Sequence, residues 1–76
     1  MRTLNKDTQY TAGKSWVVGV YCGKNYSGFI VDSRSTPDGR NAIFNIVLDQ
    51  PIEVYGQKRE KIEHWTNTDS NIAWLE

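Results

Sequence analysis

Two side chains in this sequence could form a nucleophile–base pair, Cys22 and His64, and each residue type occurs only once. A thiolate activated by an imidazole needs the two within hydrogen-bond reach and a third group to orient the ring. There is no second histidine to help. Cys22 shares the alternation of Trp16, Val18 and Val20, so it reads as a small buried hydrophobe on an apolar strand face. His64 lies in a charged run and is expected to be exposed. The carboxylates are scattered over polar positions, and no spacing pairs two of them for acid–base work. One cysteine and one histidine cannot complete a four-ligand zinc site within one chain, and one cysteine excludes an internal disulfide. No catalytic set, metal site or cofactor is expected.

Binding chemistry has more material. Three Trp, four Tyr and two Phe are dense for 76 residues. Trp16, Phe29, Phe44 and Trp74 fall on apolar strand faces and are expected in the core. Tyr21 and Tyr26 flank the turn Gly23-Lys24-Asn25, and Trp65 ends a charged run. Aromatic rings beside a loop can stack on peptide prolines, enclose methylated cations or stack on bases. Basic side chains sit on the same kind of position: Lys24 in the first turn, Arg34 and Arg40 on either side of a hairpin tip, and Lys58-Arg59 after Gly56. The candidate ligand-binding residues are therefore Tyr21, Lys24, Tyr26, Arg34, Arg40 and Trp65.

Charge and length narrow the classes. Nine basic and nine acidic residues cancel, which argues against a general nucleic-acid binder drawn to phosphate by a basic excess. The balance is uneven along the chain: residues 1–40 hold six basic and three acidic groups, and residues 41–76 the reverse. If that polarity survives folding, it favours self-association or a two-sided contact surface. A chain this short buries only about 60% of the surface its unfolded form exposes, leaving room for one core and one surface site. The start of the chain is polar and no apolar run is long enough for a signal core or a membrane span. A cytoplasmic protein with no membrane contact is expected.

These side chains need strands to position them. Residues 1–13 are polar and read as a flexible arm or a short edge strand ahead of a domain over 14–76. Lys14–Cys22 alternates as a strand with apolar residues on both faces, and Gly19 would let it bend. Tyr26–Arg34 forms the second strand. Thr36-Pro37-Asp38-Gly39 is a hairpin tip, with proline's preset φ at the second position and glycine taking the positive φ. Asn41–Asp49 is the most regular strand, with Ala42, Phe44, Ile46 and Leu48 on one face. Gln50-Pro51 interrupts it, because proline cannot donate to a ladder. Ile52–Tyr55, the turn Gly56-Gln57 and the strand Lys58–Trp65 follow. The charges of that last strand are those of a guarded sheet edge. Thr66–Asn71 reads as a loop or one 3₁₀ turn, and Ile72–Leu75 closes the chain as a strand.

This order of five to six short antiparallel strands resembles the SH3-like barrels, which include Tudor-type and related small barrels, and implies a closed, all-β barrel. A more local likeness joins it. Val18-Gly19-Val20-Tyr21-Cys22 with Gly28-Phe29-Ile30-Val31-Asp32-Ser33 is similar to a segment of the type II dihydrofolate reductases, short SH3-like barrels that assemble as tetramers around one pore. That family's pore-lining Val-Gln-Ile-Tyr motif has no counterpart here; Ala42-Ile43-Phe44-Asn45-Ile46 stands in its place. The chain also resembles products of mobile genes, such as integron cassettes and phage accessory genes. The expected function is a non-enzymatic binding module acting through protein contacts and self-association. A nucleic-acid-contacting barrel using Lys24, Arg34 and Arg40 with Tyr26 is the alternative, and a reductase-like enzyme a third.

Overall fold

The computed structural model describes residues 2–68 and 70–76. Its apolar alternation resolves into six strands: β1 (Arg2–Thr3), β2 (Trp16–Tyr21), β3 (Lys24–Ser35), β4 (Ala42–Val54), β5 (Gln57–Trp65) and β6 (Ile72–Leu75). All pair antiparallel in one sheet of order β1-β6-β2-β3-β4-β5. The loop expected over Thr66–Asn71 holds turn residues on either side of Asp69, which lies outside the described residues. No helix long and apolar enough to cross a membrane is present among the described residues.

Local chemistry sets the three hairpins. Cys22-Gly23 joins β2 to β3 with φ of 50° and 79°, and Tyr55-Gly56 joins β4 to β5 with 51° and 75°. Two successive positive φ values mark the two-residue turn whose twist matches the flanking strands. Each glycine thus takes the second turn position, one residue earlier than expected for Gly23-Lys24-Asn25 and Gly56-Gln57. This places Cys22 in solvent and corrects its reading as a buried hydrophobe. The β3–β4 tip forms as the sequence predicts. Gly39 N–H donates to Thr36 C=O at 2.9 Å, and Gly39 takes φ 72°. Asp38 accepts from the Thr36 hydroxyl and, at 3.0 Å, from the Arg40 N–H.

β3 and β4 carry the curvature. The first half of β3 pairs with β2, from Lys24 to Phe29, and the second half pairs with β4, from Gly28 to Ser35. A bulge at Val31 separates Ile30↔Ile46 from Asp32↔Asn45, and a bulge bends the strand that holds it. β4 continues through Pro51 as a single strand. Its ladder to β5 breaks between Val47↔Lys61 and Ile52↔Arg59, where Leu48, Asp49, Gln50 and Pro51 of β4 stand against Glu60 alone, so the missing N–H of Pro51 falls in an unpaired stretch.

The concave face buries Leu4, Val17, Ile30, Phe44, Ile46, Ile62 and Ala73 as one cluster with Tyr26, Ala42 and Leu48. The N-terminal segment helps close it. β1 pairs with β6, Leu4 enters the core, and Tyr10 meets Phe44 edge-on at 5.9 Å while its hydroxyl bonds Ser33 Oγ. Phe44 is 1% exposed, as its strand face predicts. Trp16, Phe29 and Trp74, expected in the core, are instead half-buried on the opposite face, because each alternates with an inward residue (Val17, Ile30 and Ala73). His64, expected exposed, is 3% exposed opposite Phe44. It alternates in phase with Ile62, and that phase outweighs the charges between.

Ladders end at β1 on one side and β5 on the other, and none joins these two among the described residues. The sheet is curled but not closed into a barrel. Gln57–Lys61, which would face any closing strand, is exposed throughout and mostly charged, and such side chains resist further pairing.

Candidate functional site

The six residues singled out in the sequence do not converge on one spot. Tyr21 ends β2, half-buried, with the exposed Lys24 opposite it across the turn. Tyr26 belongs to the core. It pairs with Gly19, and its ring fills the space a side chain at position 19 would need, its Oη only 2.8 Å from the place of a Cβ. The hydroxyl is buried without a hydrogen-bond partner, and burial raises its pKa well above the ordinary 10. Arg34 forms an ion pair with Glu63 at 2.9 Å, bridging β3 to β5 over β4. Trp65, 39% exposed, stands opposite Ile43, which also faces Arg34. Ile43 lies outside the core cluster and is nonetheless 2% exposed. Arg34 and Trp65 therefore serve as its cover. Arg40 is exposed beyond the hairpin tip, apart from the others.

Two surfaces emerge that the sequence did not single out. One is a groove of about 480 Å³ where the β3 bulge meets the break in the β4–β5 ladder. Tyr21 and Val31 line it with Asp32, Arg59, Lys61 and Glu63. Asn45, on the same lining, donates its side-chain amide to Asp32. Two cations and two anions leave it without net charge, and Glu63 is already engaged by Arg34. Neither Cys22 nor His64 lines it: Cys22 is exposed in the β2–β3 turn, its N–H bound to Asn71 Oδ1 at 3.0 Å, while His64 is buried opposite Phe44. Burial lowers the pKa of His64, favouring the neutral ring. Among the described residues no three His, Cys, Asp or Glu side chains gather as metal ligands.

The second surface, which shares Val47 and Lys61 with that groove, is the convex face of the sheet. Cross-strand partners point to one side, so the registers define its rows. Trp16, Phe29, Val47 and Lys61 form one row across β2, β3, β4 and β5. Trp74, Val18 and Ser27 form the next across β6, β2 and β3, continued by Asp49, which accepts the Ser27 hydroxyl at 2.9 Å. Ile72, Val20 and Asn25 form a third. Trp16 and Phe29 meet edge-on at 4.8 Å. Val47 and Ile72 are 37% and 41% exposed, and the other apolar members are partly so. The signal was present in the sequence as β2's two apolar faces, but alternation cannot say which of two such faces turns inward. One further exposed aromatic, Tyr55, stands 92% exposed at the β4–β5 turn.

No family model matches this chain, and neither a curated protein nor a solved structure matches it.

Proposed function

We propose that this chain is a non-enzymatic binding module that acts through protein–protein contacts on the convex face of its sheet. The observation that carries the reading is the partly exposed row of Trp16, Phe29 and Val47 beside Trp74 and Val18. Antiparallel sheets with one solvated face usually make that face polar. A contiguous apolar patch on a small chain is characteristic of a contact surface, and Trp and Phe side chains are the types enriched in protein interfaces. The curled six-strand sheet, with its bent β3 and β4, supports reading the fold as an open relative of the SH3-like barrels, a group of small domains that present strand faces and loops to partners. The alternative, a nucleic-acid contact through Lys24, Arg34, Arg40 and Tyr26, has less to rest on, since Arg34 is paired with Glu63 and Tyr26 is enclosed.

A photo-crosslinking residue at position 72, on the exposed end of this face, tests the reading in cells that naturally make the chain. Polypeptide adducts of defined mass are expected. Adducts to nucleic acid alone, or none above those from a residue placed at Lys14, would overturn it.

A further inference from the structure

We infer that the outer edge of β5 pairs with the same edge of a second copy, antiparallel about a two-fold axis at Ile62. The contact is edge to edge, and it goes beyond the reading given for the convex face. The argument begins with the main chain. Thr66 N–H donates to Ala42 C=O at 3.0 Å, and the ladder from Ile43↔Trp65 to Val47↔Lys61 continues that register without a shift. In an antiparallel pair, hydrogen-bonded positions alternate with non-hydrogen-bonded ones. Thr66, His64 and Ile62 therefore bond toward β4, while Trp65, Glu63 and Lys61 turn their N–H and C=O groups outward. Trp65 C=O accepts from Thr68 N–H at 3.1 Å. Among the described residues no strand and no other main-chain group bonds Glu63 or Lys61 on that outer side.

Charge then selects the partner strand. A two-fold axis perpendicular to the sheet sets one residue opposite its own copy and pairs the others symmetrically about it. Of the possible centres from Lys58 to Trp65, Lys58, Arg59, Glu60, Lys61 and Glu63 would each meet a like charge, which is destabilising for directly opposed residues. Centring on His64 or Trp65 calls on the Trp65 C=O, which is already engaged. Ile62 is the centre left. There Lys61 faces the partner's Glu63, and Glu63 faces the partner's Lys61. Both residues turn their main-chain groups outward, so each of these pairs exchanges both of its hydrogen bonds. The side chains of Lys61 and Glu63 lie on one side of the sheet. Glu63 accepts from Arg34 through Oε2, which leaves Oε1 for the partner's Lys61. Lys61 has no salt-bridge partner among the described residues. Ile62 belongs to the core cluster and meets its own copy at a non-hydrogen-bonded position, where side chains come closest. The charges that guard this edge against other strands thus admit its own.

Sedimentation equilibrium of the full chain reads the result, with a concentration-dependent species of twice the 8.7 kDa chain mass expected. Lys61→Pro deletes an N–H that β4 does not use, the kind of edge position where a strand tolerates proline. It should abolish the dimer while the far-UV circular dichroism of the monomer is kept. Should that variant fail to fold, Lys61→Glu decides, since it keeps every main-chain group. It opposes like charges at both symmetric contacts and should weaken dimerisation by about tenfold. Adding Glu63→Lys to it should return the Kd to within a few-fold of the parent. A chain that stays at 8.7 kDa up to millimolar concentration overturns the inference. So does a dimer whose Kd ignores Lys61→Glu. Position 72 lies on β6, with three strands between it and β5, so the crosslinker there reports on the convex face whatever the β5 edge does.

Discussion

Phe44, Tyr26 and His64 show how differently three buried rings contribute. Phe44 packs against Tyr10 at the centre of the core, and Phe44→Ala should cost about 3–5 kcal/mol in urea unfolding. A variant as stable as the parent would mean that the core lies elsewhere. Tyr26 buries a hydroxyl that no described group satisfies. Desolvating an unpaired hydroxyl is unfavourable, so Tyr26→Phe should be neutral or stabilise by up to about 1 kcal/mol; a loss beyond that would show an unseen partner. His64 is held neutral by burial, with its pKa below the ordinary 6.5. Below about pH 6.5 the unfolded chain binds a proton that the folded chain still refuses. The stability this group contributes is therefore complete above that pH and declines as pH falls toward the folded pKa, at no more than about 1.4 kcal/mol per pH unit. Melting temperature should drop as pH falls below about 6.5, and His64→Gln should flatten that slope.

At the scale of elements, the hairpins and the close approach of strands are the sensitive points. Tyr55 occupies a turn position with φ 51° that suits Asn or Asp far better than an aromatic residue. Tyr55→Asn should raise stability by about 0.5–1 kcal/mol while leaving the strand register unchanged, readable in denaturant midpoint at constant slope. Gly19 is the opposite case. A Cβ there would stand 2.3 Å from the Ile72 carbonyl and 2.8 Å from the Tyr26 hydroxyl. Gly19→Ala must push β2 from β6 or expel Tyr26, and a loss of about 2–3 kcal/mol is expected. The strands themselves, the Pro37-Asp38-Gly39 tip and the charged β5 edge were legible from alternation and turn chemistry. The phases of the two Xaa-Gly turns were not, because Gly23 and Gly56 mark a turn without saying which of its positions they occupy.

For the whole molecule, two questions follow from one sheet. A sheet has two faces, and this chain makes both of them apolar near β2. The core takes the concave one because Phe44, Ile46 and Ile30 fill it together with Leu4 and Tyr10 from the N-terminal segment. The convex face is left with Trp16, Phe29 and Trp74 half-buried.

The residues alone determined an all-β chain, its hairpins and the Ala42–Leu48 core face, because turn chemistry and two-residue alternation are local. Tertiary structure decided which face of β2 is inside, that Tyr26 is enclosed, that Arg34 bridges to Glu63, and that Arg59, Lys61 and Asp32 share a groove with Tyr21. It also left β1 and β5 as separate edges. Each of these depends on residues far apart in the chain, brought together only by strand register and by its breaks at Val31 and between Val47 and Ile52. Side-chain type does not encode such distances; the ladder does.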